Sequence, residues 1–241
     1  MSERSALIVG AGDAIGSAIL KRFSRAGYNT VGVRRNPEKI ANVISELQKE
    51  GHKAQAIKCD ARKEDEIIGL FSKIEAEMAP LEVVVFNVGA NVPMKIAETP
   101  TKKFYKIWEM ACFGGFLTGR EAAKYLVPRK KGTIIFTGAT ASLRGAAGFG
   151  AFASAKSGLR AVAQSLAREI MPQGVHVAHV VIDAAVDTEF VRQILPQMKP
   201  NRQTDDIVKP DSIAEFYYQI HLQSPDAWTF ESDLRPWCEK W

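Results

Sequence analysis

The stretch 5–27 constrains the fold more than any other: an apolar run, Ala6-Leu7-Ile8-Val9, passes through a glycine-rich turn, Gly10-Ala11-Gly12-Asp13-Ala14-Ile15-Gly16, into a helix-like segment that ends at Gly27. A buried strand that feeds a glycine turn and a helix N-terminus leaves unpaired backbone N–H groups and the positive end of a helix dipole aimed at one place, which suits a phosphate. Gly10 lets the chain turn sharply, Gly12 lets a pyrophosphate approach the backbone, and Gly16 lets helix and strand pack closely. The spacing G-x-G-x-x-x-G is one residue longer than the general dinucleotide fingerprint. Taken alone it also suits an ordinary strand-to-helix connection, so the later strands decide.

Residues 28–33 read as a second strand, ending at Arg34-Arg35 and followed by a helix start at Asn36-Pro37-Glu38, where asparagine caps, proline takes the first helical position and glutamate follows early. A short third strand, 53–59, ends at Asp60 ahead of an amphipathic helix over 63–78. Leu81-Glu82-Val83-Val84-Val85-Phe86 is nearly all apolar and β-branched, as expected of a strand covered on both faces, and it runs into Asn87-Val88-Gly89. Beyond Pro93 and Pro100, a long helical stretch over 102–126 is interrupted at Gly114-Gly115. A fifth strand (132–137), a run of small residues (138–150), a helix (152–171) and a sixth strand (175–182) complete the alternation. This pattern predicts one α/β domain over 1–241, a parallel, doubly wound sheet with helices on both faces. Its ligands would sit beyond the carboxyl ends of the strands, where Gly10, Arg34, Asp60, Asn87 and Ala139 gather. The irregular stretch 183–209 is long enough to close over the site as a lid. The tail, 228–241, carries three tryptophans and either adds an edge strand or packs on a partner subunit.

With 241 residues, 46% of them hydrophobic and 24% charged, the chain has an ordinary globular composition. A net charge of +5 favours anionic ligands. The basic residues form only short clusters, Arg34-Arg35, Lys102-Lys103 and Arg129-Lys130-Lys131, so no nucleic-acid footprint is expected. Three scattered cysteines support neither a disulfide framework nor a metal knuckle and fit a reducing compartment. None of His52, His176, His179 and His221 pairs at metal-ligand spacing, so no metal is expected. The opening residues are too short and polar for a signal peptide, and nothing approaches the ~20 apolar residues of a membrane span. The expectation is a soluble, cytoplasmic protein without a membrane partner.

On these residues the chain resembles the short-chain dehydrogenase/reductase family over nearly its full length. The family's Thr-Gly-x-x-x-Gly-x-Gly is matched at Gly10 and Gly16, with Val9 for threonine and Ala14 for the middle glycine; its Asn-Asn-Ala-Gly is matched as Phe86-Asn87-Val88-Gly89, and its aspartate after the third strand as Asp60. The resemblance implies a Rossmann-type sheet of about seven strands and a nicotinamide dinucleotide held by Gly10, Gly12, Ala14, Ile15, Gly16, Asp60, Asn87 and Gly89. In that family an acidic residue after the second strand accepts the ribose hydroxyls of NAD, whereas arginine pairs with the 2′-phosphate of NADP. Arg34 and Arg35 stand there, so NADP(H) is expected over NAD(H).

The chemistry half departs from the resembled pattern. Lys156 fits the lysine of the catalytic Tyr-x-x-x-Lys, but Phe152 occupies the tyrosine position; the serine would fall at Ala139, beside Thr140, and the asparagine near Ala111. The resemblance gives Lys156 the nicotinamide ribose, and gives Val186 and Thr188 the carboxamide and pyrophosphate. Asp183 is a candidate substitute acid or base, with loop fixing as the competing role. Thr140, Ser142 and Ser154 are further hydroxyl candidates, although Ser154 is two residues from Lys156 and faces away from it. Phe149, Phe152 and Phe190 imply an apolar pocket. Two readings follow. One is an NADP(H)-dependent oxidoreductase for a small carbonyl/alcohol or enone substrate, with a non-standard proton path and a homodimeric or homotetrameric assembly. The other is a non-catalytic NADP(H)-binding redox sensor or scaffold.

Overall fold

The computed structural model describes residues 3–89, 91–194 and 206–239. Seven parallel strands form one sheet in the order β3-β2-β1-β4-β5-β6-β7. They are β1 (Ser5–Val9), β2 (Asn29–Arg34), β3 (Ala54–Lys58), β4 (Leu81–Phe86), β5 (Thr133–Ala139), β6 (His176–Ile182) and β7 (Glu231–Leu234). The helices are α1 (Ile15–Arg25), α2 (Ala41–Lys49), α3 (Glu64–Glu77), α4 (Thr101–Trp108), α5 (Gly114–Leu126), α6 (Gly150–Ile170), α7 (Glu189–Ile194) and α8 (Pro210–His221).

The period of two along each strand divides the core between two faces. Leu7 and Val9 of β1 point to one side, where Leu70 and Phe71 of α3, Leu117 of α5 and Leu159 of α6 cover them. Ala6 and Ile8 point to the other, against Ile19 and Phe23 of α1, Leu47 of α2 and Tyr217 of α8. Because both faces are buried there, β1 and β4 read as nearly continuous apolar runs, whereas the edge strands β3 and β7 are polar and only partly buried.

Two local features differ from what the sequence suggests. Asn36 does cap, its side chain accepting the Glu38 N–H at 3.2 Å, but the chain first makes a 3-10 turn over Pro37–Ile40 that buries Ile40 completely, and α2 begins only at Ala41. The 102–126 stretch is one helical path with a π turn at Glu109–Phe113 between α4 and α5. Gly114 and Gly115 lie inside the first turn of α5 and do not break it: a Cβ on Gly115 would fall 2.2 Å from Leu159 Cδ1, so this glycine sets the approach of α5 to α6. The tail does supply an edge strand, β7, parallel to β6, and Trp228 just before it stacks on His176 with ring centroids 4.9 Å apart.

In the 183–209 stretch, Val186 bridges Val208 and α7 follows; residues 195–205 and the side chain of Phe190 lie outside the described residues. Among the described residues, no helix is long and apolar enough to cross a membrane.

Candidate functional site

The glycine turn after β1 is shaped by close contacts. Gly10 has φ +89°, and a Cβ there would lie 2.7 Å from the Asn87 carbonyl oxygen; a Cβ on Gly16 would lie 2.6 Å from Ala11 Cα. A Cβ on Gly12 would meet nothing within 4 Å, so the backbone there borders open space. Ala14 provides no side-chain cap for α1, and no acidic residue sits in its first turn; the Ser17 N–H is taken by the Gly12 carbonyl at 3.0 Å, which leaves the Ile15 and Gly16 N–H groups for an anion. Asn87 holds the turn from β4, its Nδ2 donating to the Gly10 carbonyl at 3.1 Å.

Two hollows adjoin this turn and share Gly12, Asn87, Val88 and Gly89 in their walls. The smaller, of about 620 Å³, lies between Arg34, Arg35 and Lys39 on one side and Asp60 and Arg62 on the other. Arg34 is already engaged: its Nη1 contacts Asp13 Oδ1 at 2.7 Å and the Ala11 carbonyl at 3.3 Å. Arg35 is exposed and makes no hydrogen bond or ion pair among the described residues. The Arg62 guanidinium clasps Asp60, with Nη2 2.5 Å from Oδ2, and holds that carboxyl below the usual carboxylate range.

The larger cleft, of about 1290 Å³, runs from residues 12–18 past the ends of β4, β5 and β6. Lys156 of α6 reaches its floor, 3% exposed, and its Nζ donates to the Thr137 carbonyl at 2.8 Å and the Val88 carbonyl at 3.1 Å. Burial pulls its pKa down to about 8. Phe152, one turn earlier, lines the same cleft, its ring centroid 6.0 Å from the Lys156 ammonium. Phe149, Thr140, Val186 and Thr188 also line it. Thr188 accepts the Val191 N–H at 3.1 Å and so starts α7.

Asp183 is 2% exposed and is not among the cleft-lining residues, although Ile182 and Ala184 on either side are. Its carboxylate accepts the Thr140 hydroxyl at 2.6 Å and pairs with Arg144 at 3.2 Å and Arg235 at 3.3 Å, while its N–H donates to the Leu234 carbonyl at 2.9 Å. The structure therefore brings Lys156, Phe152 and Thr140 to one cleft and turns Asp183 toward its support. Ser142 donates no side chain to the cleft either; its Oγ accepts the Ala139 N–H at 3.1 Å. Sequence reasoning missed Arg144, a cleft residue, and Arg235, which meets it only through Asp183. Arg144 did carry a signal, as the one charged side chain in the small-residue run 138–150; nothing in the sequence links Arg235 to that loop. Among the described residues, no group of three His, Cys, Asp or Glu side chains could hold a metal ion.

Comparison with known proteins gives this geometry a family. A short-chain dehydrogenase from Rhodopseudomonas palustris superposes with a TM-score of 0.84 at 45% identity, covering 97% of this chain and 99% of that one. The 2-dehydro-3-deoxy-D-gluconate 5-dehydrogenase of Formosa agariphila is 32% identical over 165 residues, 68% of this chain. The 2,3-dihydro-2,3-dihydroxybenzoate dehydrogenase of Bacillus subtilis is 30% identical over 152 residues, 63% of this chain. The chain matches 62% and 58% of these two relatives' own lengths. The short chain dehydrogenase family pattern itself matches residues 4–199, from β1 to just beyond α7, and the chain belongs to that family.

Proposed function

We propose that the chain is an NADP(H)-dependent oxidoreductase for a small carbonyl/alcohol or enone substrate, with a proton path that does without a tyrosine. The carrying observation is the pair of joined hollows, with open Gly12 and the uncapped α1 in the middle, Arg34 and Arg35 at one end and buried Lys156 at the other. A dinucleotide fits this arrangement. The 12–16 backbone would hold its pyrophosphate, Asp60, Asn87 and Gly89 its adenosine side, Arg34 and Arg35 its 2′-phosphate, and Lys156, Val186 and Thr188 its nicotinamide end. When bound, the nicotinamide supplies or accepts the hydride.

The remaining chemistry falls to side chains of the cleft. Phe152 can exclude water but carries no proton. Thr140 spends its hydroxyl hydrogen on Asp183, so its oxygen offers the cleft only lone pairs. Asp183 acts as the positioning residue for Thr140. The Lys156 ammonium has three hydrogens and gives two to backbone carbonyls, which leaves one for a ribose or substrate oxygen. With its pKa near 8, Nζ can deliver a proton at neutral pH, and it becomes the proton donor of this site. The relatives named above carry the names of a gluconate and a benzoate, small acids that a cleft of about 1290 Å³ can take beside a nicotinamide. Assembly as a homodimer or homotetramer and a reducing, cytoplasmic setting belong to the same reading. The aromatic surface of α4 and α5 supports the first, and three unpaired cysteines support the second.

Fluorescence titration with NADPH and NADH tests the proposal. NADPH is expected to bind more tightly, and Arg34→Ala/Arg35→Ala to weaken NADPH binding by roughly tenfold or more while leaving NADH nearly unaffected. Binding of neither nucleotide would overturn it. Intact NADPH binding without NADPH loss across a carbonyl and enone panel would leave the sensor or scaffold reading in its place.

A further inference from the structure

The substrate end of the cleft carries a cation for which the reaction above has no use. Arg144 lines the cleft on the loop between β5 and α6, and its side chain is 49% exposed. Its two terminal nitrogens rest against the buried Asp183 carboxylate, Nη2 at 3.2 and 3.4 Å and Nη1 at 3.5 Å. That carboxylate is itself fixed by the Thr140 hydroxyl and by Arg235. The guanidinium is thus held from behind, and its Nε edge makes no hydrogen bond among the described residues. A planar guanidinium with one edge anchored and the other open is pre-organised for a second carboxylate, which it can take through two parallel hydrogen bonds.

The surroundings favour an anion at that edge. Of the other cations along the cleft, Lys21 is committed to Glu46 at 2.7 Å and Arg192 to Asp187 at 2.7 Å, and Lys156 lies buried on the floor with two of its three hydrogens on backbone carbonyls. Asp13 on the rim is committed to Arg34. The walls nearest in sequence to Arg144 are Thr140, Ala141, Ala146 and Phe149, with Phe152 beyond; the Thr140 hydroxyl hydrogen is spent on Asp183, so these walls offer an anion no competing side-chain donor, and the apolar ones lower the local dielectric around the pair. Resting on the oxidoreductase reading, we propose that Arg144 anchors a carboxylate on the substrate, so that the substrate class is small oxo acids and their hydroxy-acid counterparts.

Matched acids and esters test this. With saturating NADPH, the full-length protein is assayed with acetoacetate against methyl acetoacetate and with benzoylformate against methyl benzoylformate, in wild type, Arg144→Gln and Arg144→Lys. Binding of acetoacetate and benzoate to the NADPH-saturated protein is followed in parallel by calorimetry, which needs no turnover. The expected result is a preference of about 10- to 100-fold in kcat/KM for each acid over its ester. Arg144→Gln is expected to collapse that preference toward one and to weaken carboxylate binding to the same degree, with Arg144→Lys intermediate. NADPH affinity reports whether each variant folds; should Arg144→Gln fail that check, Arg144→Lys carries the comparison, because it keeps a cation beside Asp183 but loses the fork. Equal use of acid and ester, or an acid preference unchanged in the variants, would overturn the anchor while leaving the oxidoreductase reading in place. Carboxylate binding that depends on Arg144 in a protein that turns over no compound would sustain the anchor and remove the oxidoreductase reading. Absence of both binding and turnover of the acids would remove the anchor.

Discussion

On the proposed reading Arg34 would take a phosphate, but it is held by a carboxylate from the turn that would receive the dinucleotide, Asp13, which is 73% exposed. An exposed ion pair of this kind is worth about 0.2–1 kcal/mol, so a 2′-phosphate arriving at Arg34 displaces a weak competitor. Asp13→Asn removes the competing charge and is expected to tighten NADPH binding about two- to fivefold with little change for NADH, read by the same fluorescence titration; an unchanged ratio of the two affinities would place the 2′-phosphate on Arg35 alone. Phe152 and Lys156 make the second residue-scale case. As the proposed proton donor in the reduction direction Lys156 would have to arrive protonated, and its pKa of about 8 lies below its ordinary 10.5, so kcat is expected to fall as pH rises through about 8. Phe152→Tyr places a phenol beside that ammonium and is expected to raise turnover, within the 10²–10⁴-fold range of a positioned acid, and to change this pH profile. No gain at any pH would mean that the proton reaches the substrate by another route.

At the scale of elements, α4 and α5 present a surface that the monomer does not cover. Tyr105 stacks on Trp108, Trp108 on Phe113 and Phe113 on Phe116, with centroids 6.0–6.3 Å apart, while Phe104, Tyr105 and Phe116 remain 42%, 58% and 40% exposed. Contiguous exposed aromatics of this kind mark an association surface. Sedimentation is expected to give twice or four times the chain mass, and Phe104→Asp/Tyr105→Asp to shift it toward one chain; a wild-type monomer would refute the assembly. The 102–126 pattern showed the helical period but not the π turn at 109–113, because that wide turn depends on how α4 and α5 seat against α6. Gly114-Gly115 looked like a breaker for the same reason: only the position of Leu159 shows that a side chain there would collide.

For the whole molecule, acid stability turns on a buried histidine of the sheet. His179 of β6 is 0% exposed, with Nδ1 2.9 Å from Glu231 Oε2, and Glu231 in turn is clasped by Arg160 at 2.6 Å. Glu231 favours the imidazolium, yet burial outweighs it and lowers the His179 pKa to about 4 from an ordinary 6.5. The unfolded chain therefore binds the proton first, and the stability contributed by neutral His179 is full above about pH 6.5 and is lost as pH falls toward 4, at up to ~1.4 kcal/mol per pH unit. Denaturant titrations across that range are expected to show the loss, and His179→Gln to flatten it; an equally steep acid limb in the variant would assign it elsewhere. That histidine was legible in the sequence only as one of four without a metal partner. By itself the sequence determined the alternation of strands and helices, the continuous apolar strands that require cover on both faces, and the glycines of the first turn, because these are set by local periodicity and backbone sterics. It also marked Arg34, Phe152 and Lys156 by their offsets from those elements. Only the tertiary structure decided that Arg34 is held by Asp13, and that Asp183, outside the cleft lining, joins Arg144 to Arg235. Each of these is a pairing between charges on different elements, and such pairings follow from how the sheet brings strand ends together, which no local pattern encodes.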